Sequence, residues 1–322
     1  MNLKKIVGIA VLSAFSIGTV QARDFSFADV YAQDTPTVMT ARKIGDLISQ
    51  KSSGKYAVKV FGNGALGSEK ETLEQVKIGA LDMVRANTSS FHNTIPETVL
   101  PSLPFLFRDI SHFRKAMAGP AGNKIMASFE KSGFVALALW ETGARSISAK
   151  KPLRTPADIK GLKLPAETSA LWTSLAQALG INPTVINAAE VYPALKSGMI
   201  DAAENNYFSY ETHKHYEVAP IYSETQHMIS PEVLLFSKKI WDTLTPDEQK
   251  TIRDAAREAS PYYVDLLTKK EAAAKEVAKK GGATFIDDVN KPEFVTAAKP
   301  VWDKFSPTPE LKALVQSIVN TK

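Results

Sequence analysis

The chain has 322 residues, with 39 Lys and Arg against 34 Asp and Glu, a formal charge of +5 and 44% hydrophobic residues. It contains no cysteine, which excludes a disulfide framework, a thiolate metal site and a cysteine nucleophile. The basic residues are scattered rather than clustered, which argues against a nucleic-acid surface, and the length exceeds what one core usually organises, so two lobes are expected.

Residues 1–22 read as a secretory signal: Lys4 and Lys5 form a positive start, 6–15 an apolar core, and Val20-Gln21-Ala22 a small-residue cleavage site. The apolar run falls short of the ~20 residues that span a bilayer. A mature protein beginning near Arg23, exported and not inserted in the membrane, is therefore expected, with its charge reduced to +3 by loss of the two lysines.

Residues 24–30 alternate as a first strand, 37–49 are amphipathic, and 56–61 form a second strand. Ser68 with Glu71 makes a capping box, which predicts a helix over 69–78 stopped by Gly79. A third strand over 81–86 ends at Asn87-Thr88-Ser89-Ser90. This β-α-β-α-β order predicts a mostly parallel sheet. Three prolines within 95–107 point to an irregular buried segment, and 134–140 is a strand leading into the next region.

Over 143–206 the pattern is again α/β. Thr155 and Pro156 start a short helix that ends at Gly161, followed by a strand over 162–164. Helices over 171–179 and 190–197 stop at Gly180 and Gly198, and a strand over 199–203 ends at Glu204-Asn205-Asn206. Ser230-Pro231-Glu232 marks a second crossing, followed by a strand over 233–236. Thr245-Pro246-Asp247-Glu248 is a strong helix start, and the chain to Lys280 is helix-forming apart from an interruption expected at Ser260-Pro261. Such a helix reaches across two lobes. Polar groups just beyond strand ends are where ligands sit in open α/β sheets.

No Gly-x-Ser-x-Gly elbow, Walker loop or dinucleotide fingerprint occurs, so no cofactor is expected. His213-Lys214-His215 suggests a metal, but residues two apart do not share a helix face and no third ligand is suitably spaced. His227, near the second crossing, is a further residue that could face a cleft. Arg145 has two readings from spacing alone, a surface pair with Glu141 or an anion contact at a strand end. An exported carbohydrate-active enzyme stays open, because the approach of two carboxylates is three-dimensional.

The assembled stretches Gly64-Ala65-Leu66-Gly67-Ser68-Glu69, Gln75-Val76-Lys77-Ile78-Gly79-Ala80-Leu81-Asp82 and Leu103-Pro104-Phe105 carry a resemblance, as do Pro156-Ala157-Asp158-Ile159-Lys160-Gly161-Leu162-Lys163, Glu190-Val191-Tyr192-Pro193-Ala194-Leu195 and Asp201-Ala202-Ala203-Glu204-Asn205. Together they resemble the solute-binding proteins of tripartite ATP-independent periplasmic (TRAP) transporters, of the C4-dicarboxylate and sialic-acid type, over essentially the whole mature chain. The resemblance implies a non-catalytic periplasmic receptor of two α/β lobes around a cleft, with a long lobe-spanning helix. Its implied partners are a small organic acid and the two membrane subunits of the transporter. The lobes are expected to comprise 23–142 with 231–270, and 143–230 with 271–322.

Site residues follow from the same resemblance. Arg145 corresponds to a ligand-facing arginine, Asn87 to a polar contact on the first lobe and Asn205 to the asparagine of the Glu-Asn motif. Two positions depart from the family: Pro165 stands where an arginine usually clamps the ligand carboxylate, and Ala188 where a phenylalanine often packs. The wording around Gly143-Ala144-Arg145-Ser146 and Ser230-Pro231-Glu232-Val233 is most similar to members that bind hexuronates. One anion contact from Arg145 and hydroxyl contacts from Asn87, Thr88, Ser89, Asn205, Asn206 and Gln33 would suit such a sugar acid. Glu167 reads as a surface carboxylate, or as a hydroxyl contact if Pro165 reshapes the pocket. A less cationic and larger pocket than the dicarboxylate type is expected, favouring a hydroxyl-rich monoacid over compact diacids, with a neutral or larger solute as the alternative.

Overall fold

A computed structural model describes residues 23–165 and 169–322; the expected export signal and Glu167 lie outside the described residues. The strands, in chain order, are β1 (Arg23–Ala28), β2 (Tyr56–Phe61), β3 (Met83–Asn87), β4 (Phe134–Trp140), β5 (Ala144–Ala149) and β6 (Lys163–Pro165). They continue as β7 (Asn182–Thr184), β8 (Ala202–Asn205), β9 (Ile221–Ile229), β10 (Glu232–Ser237) and β11 (Thr284–Ile286). Two sheets organise them, one of order β2-β1-β3-β10-β4 and one of order β11-β9-β5-β8, with β6 and β7 as a separate pair.

The local rules written in the sequence hold in the first sheet. Ser68 and Glu71 form the capping box, the helix runs Glu69–Ile78, and Gly79 closes it at φ 79°, where a side chain would be strained. β1 pairs in parallel with β2 and β3 as expected, but β10 lies antiparallel between β3 and β4. The expected mostly parallel sheet is therefore mixed. β10 enters from the second sheet through Ser230-Pro231 and so runs against its neighbours. Apolar residues of β1, β4 and β10 pack against the helix Pro36–Lys51 and the long helix around Phe25, Phe236, Ile44 and Ala259.

Strand β9 is absent from the expectations because Glu224, Gln226 and His227 interrupt its apolar pattern. It forms because the fold supplies their partners: the Tyr207 hydroxyl donates to Glu224 at 2.9 Å, and Lys275 pairs with the same carboxylate. Antiparallel pairing with β5 follows, broken by a register shift between Arg145 and Ile147. Such bulges re-aim side chains.

The helix Pro246–Lys280 is continuous through Pro261, so the expected interruption is corrected. Pro261 lacks the N–H and crowds the preceding turn, yet contacts on either side fix the helix. The Ser260 hydroxyl donates to the Ala256 carbonyl at 3.1 Å. The buried Tyr263 donates to the Glu141 carbonyl at 2.6 Å and stacks on Trp140 at 4.8 Å. The chain passes between sheets at 141–143 and again at 230–231, and Thr142 joins the crossings by donating to the Ser230 carbonyl at 2.9 Å. The last helix, Pro309–Val319, packs on Leu100, Phe113 and Ile125.

Candidate functional site

A cleft of about 1050 Å³ lies between the elements of the two sheets. The first sheet contributes Tyr31 beyond β1, Asn87 to Ser90 at the end of β3, and Glu232 at the start of β10. From the other side come Arg145 on β5, Ala188, and Asn206 beyond β8, while Tyr263, Leu267 and Lys270 project from the long helix. Asn87 ends β3 and Tyr31 and Asn206 lie just beyond the carboxyl ends of β1 and β8, where free main-chain groups favour ligands.

Arg145 lines this cleft, and its guanidinium is already engaged. Nε donates to Glu204 Oε2 at 2.6 Å and Nη2 to Glu204 Oε1 at 2.5 Å, a bidentate pair. His227 Nε2 stands 3.4 Å from Glu204 Oε2. Burial pushes the Glu204 carboxyl up, but Arg145 and His227 outweigh it and hold it far below the usual carboxylate range. The surface pairing of Arg145 with Glu141 does not occur, because Glu141 binds Arg114 instead, at 2.7 Å from its Nε.

The expected polar set divides. Asn87, Thr88, Ser89, Ala188 and Asn206 line the cleft with Arg145. Asn206 also caps the helix Tyr207–Thr212, accepting from Ser209 N at 2.8 Å, and donates to the Thr142 carbonyl at 2.6 Å. Thr88 is buried, its hydroxyl donating to the Pro231 carbonyl at 3.1 Å.

Three expected residues stand off the lining. Asn205 is buried with its amide 3.0 Å from His215 Nδ1, because neighbouring residues at a strand end face opposite ways. Gln33 is at the surface, its side-chain carbonyl taken by Arg42. Pro165 ends β6 opposite Thr184 and does not reach the cleft. His227 is buried behind Arg145, hydrogen-bonded to Thr225 at 2.9 Å, and His213 and His215 belong to no group able to hold a metal among the described residues.

The cleft also contains residues that the sequence reading missed. Tyr263, Leu267 and Lys270 recur at helical spacing on the long helix, a signal legible in hindsight. Lys270 Nζ sits 3.9 Å from the centroid of the Phe208 ring. Glu232 directly follows the second crossing. Burial raises its carboxyl to about 7 in spite of the neighbouring Arg85. His92, also on the lining, is driven by burial to about 4 and carries no charge at neutral pH. Cationic groups of the second lobe and long helix thus face a first-sheet wall backed by carboxylates.

Comparison with known proteins places this geometry. A TRAP periplasmic solute-binding protein from Bradyrhizobium sp. BTAi1, in complex with α/β-D-galacturonate, is 47% identical with a TM-score of 0.80, covering 93% of this chain and 100% of that one. One from Pseudomonas putida F1 with bound D-glucuronate is 35% identical with a TM-score of 0.79, covering 93% and 98%. The 2,3-diketo-L-gulonate-binding periplasmic protein of Escherichia coli K12 is 31% identical over 90% of this chain and 88% of its own. No helix among the described residues is long and apolar enough to cross a membrane. Residues 27–308 match the bacterial extracellular solute-binding proteins of family 7, and the chain belongs to that family.

Proposed function

We propose that this protein is the periplasmic receptor of a TRAP transporter that binds a hexuronate between its lobes and delivers it to the membrane subunits. The observation that carries the ligand class is the pairing of a galacturonate-bound relative at 47% identity with a cleft holding Arg145 and a ring of hydroxyl and amide groups. A sugar acid needs an anion contact at one end and many hydrogen bonds along the rest. Arg145, Asn87, Thr88, Ser89, Ala188 and Asn206 are its proposed contacts, with Tyr31 and Lys270 added from the fold.

The lobes are proposed to divide at the two crossings, as 23–142 with 231–270 and 143–230 with 271–308, and the last helix, Pro309–Val319, corrects the expected 271–322 by returning to pack on the first lobe. The link between Thr142 and Ser230 and the anchoring of Tyr263 to residue 141 support a hinge there. Closure would carry the Arg145 side of the cleft onto the wall formed by Asn87 and Tyr31.

The protein is proposed to bind without turnover. Thermal denaturation with D-galacturonate, D-glucuronate, neutral sugars, amino acids and dicarboxylates tests the reading, since a ligand specific to the folded state raises Tm by mass action. A shift with hexuronates and recovery of unchanged sugar acid is expected. A shift with neutral solutes alone removes the hexuronate assignment, and a chemically altered sugar acid moves the protein to the carbohydrate-active enzymes.

A further inference from the structure

Behind the first-sheet wall lies a buried charge cluster with no part in holding a ligand carboxylate. The Arg85 side chain is fully enclosed. Its Nε and Nη2 donate to Asp29 Oδ1 at 3.1 and 2.6 Å, its Nη1 donates to Glu69 Oε2 at 3.0 Å, and Glu232 Oε1 lies 3.6 Å from Nη1. Three carboxylates share one guanidinium. Asp29 Oδ2 and Glu232 Oε2 are buried with no hydrogen-bond partner among the described residues, an arrangement that costs free energy and needs a reason.

The reason lies in the direction of the hydrogen bonds that cross from cleft to cluster. The Tyr31 hydroxyl donates to Glu232 Oε1 at 2.9 Å, the Asn87 amide to Glu69 Oε2 at 3.2 Å, and the Ser90 hydroxyl to Glu69 Oε1 at 2.6 Å. All three side chains line the cleft. Glu69, and Glu232 above the pH of about 7 to which burial raises it, can only accept when ionised, so each orients every hydroxyl or amide that touches it proton-inward. Tyr31 and Ser90 each own one hydroxyl proton, and both protons point backwards. Towards the ligand Tyr31 and Ser90 present lone pairs, while Asn87, with one amide proton held by Glu69, keeps its second N–H and its carbonyl oxygen.

A wall whose Tyr31 and Ser90 hydroxyls face the ligand as acceptors, backed by excess negative charge, matches groups that donate there and repels groups that only accept. Resting on the receptor reading above, we propose that Glu69 and Glu232, acting through Ser90, Asn87 and Tyr31, make this wall a reader of sugar hydroxyls that excludes carboxylates. The ligand then has one orientation, with its carboxylate towards Arg145 and its hydroxyl end against Tyr31. The protein accepts uronic monoacids and rejects the corresponding aldaric diacids, in which the anomeric carbon is oxidised to a second carboxylate and the sugar ring is open, so the change in ratio among the variants isolates the part due to charge. Rejection of an unwanted partner by like charge and unpaired acceptors is a general route to specificity. Glu69 and Glu232 are positioning residues here, and Tyr31, Asn87 and Ser90 the contacts.

Calorimetric titration of the intact mature protein with D-galacturonate and with galactarate, at about pH 8 where both acids are charged, tests the proposal. Galacturonate should bind at least about a hundredfold tighter, the worth of one or two hydrogen bonds to a charged group. Glu69→Gln and Glu232→Gln give the wall an amide donor, and each should narrow that ratio about tenfold or more. A merely structural role for the acids would lower Tm or weaken both ligands equally and leave the ratio alone. Tyr31→Phe, which keeps the ring and deletes the acceptor, should weaken galacturonate by about tenfold without weakening galactarate, so the proposal stays open to refutation if the glutamine variants misfold. Wild-type protein that binds galacturonate and galactarate within about threefold overturns this inference alone, as does an unchanged ratio in all three variants. Failure of galacturonate to bind at all takes down the receptor reading for hexuronates and this inference with it.

Discussion

Glu271 and Gly143 occupy each other's space at the first crossing: the Glu271 carboxyl carbon lies 2.6 Å from where a Cβ on Gly143 would stand, and Gly143 has φ 87°. Gly143→Ala therefore meets two costs at once, about 1 to 2 kcal/mol for a side chain in the left-handed region and a steric clash with a carboxylate from the long helix. A Tm drop of several degrees is expected. Combining it with Glu271→Ala should recover the clash and not the backbone strain, so the double variant should fall between wild type and Gly143→Ala.

Glu271 also makes stability depend on pH. Burial, with Glu141 nearby, raises its carboxyl to about 7 from an ordinary 4.5, and Oε1 is shut off from solvent with no hydrogen-bond partner among the described residues. Between those two values the unfolded chain has already released a proton that the folded chain keeps, so stability falls as pH rises through this window. Glu271→Gln mimics the protonated form. It should match wild type below about pH 4.5 and melt a few degrees higher near pH 8. Identical melting curves for the two proteins at both ends would show that the Glu271 carboxyl is not held protonated.

Arg145 carries a structural duty beside its proposed binding one. Removing it strands the Glu204 carboxylate, only 7% exposed, with His227 as its remaining neighbour. Breaking a buried pair in this way costs about 3 to 5 kcal/mol, so Arg145→Ala should lose both Tm and hexuronate affinity. Arg145→Met with Glu204→Gln should regain much of the stability and still bind poorly, by at least about tenfold. Arg145→Lys should recover little affinity, because a point charge does not reproduce the bidentate fork. If the double variant binds galacturonate like wild type, Arg145 is not a contact of the ligand.

Lys270 stands against the Phe208 ring on the cleft lining, on the face of the long helix that also presents Tyr263 and Leu267. Hydrogen bonds to charged groups are worth about 1.5 to 3 kcal/mol, and this cation is partly exposed, so the lower end applies. Lys270→Met should weaken hexuronate binding by about tenfold and flatten its dependence on salt. The salt series is the decisive measurement: parallel slopes for wild type and variant would remove Lys270 from the anion contacts.

Much of this protein is determined locally and was legible in the residues. The capping boxes at Ser68 and Thr245 and the stops at Gly79, Gly180 and Gly198 act within one or two helical turns, so the helices they bound stand where the sequence puts them. The motifs that carry the family resemblance sit largely on these same turns and strand ends, which is why the family and the α/β architecture were readable without coordinates. Arg145, Asn87 and Asn206 were named through that resemblance rather than from spacing, and the fold brings all three to the cleft lining.

The partners of buried polar groups were decided only in three dimensions. Proline at 261 reads as a break until Tyr263 is seen anchored to residue 141 and Trp140, contacts more than a hundred residues away in sequence. Asn205 and Asn206 are equivalent as letters, and strand alternation sends one to His215 and the other to the cleft. The acid cluster is the clearest case. Asp29, Glu69, Arg85 and Glu232 lie on four separate elements, and only the sheet order β2-β1-β3-β10-β4 brings three carboxylates onto one guanidinium. Charge burial depends on what the whole fold excludes from water, which spacing along one chain does not encode.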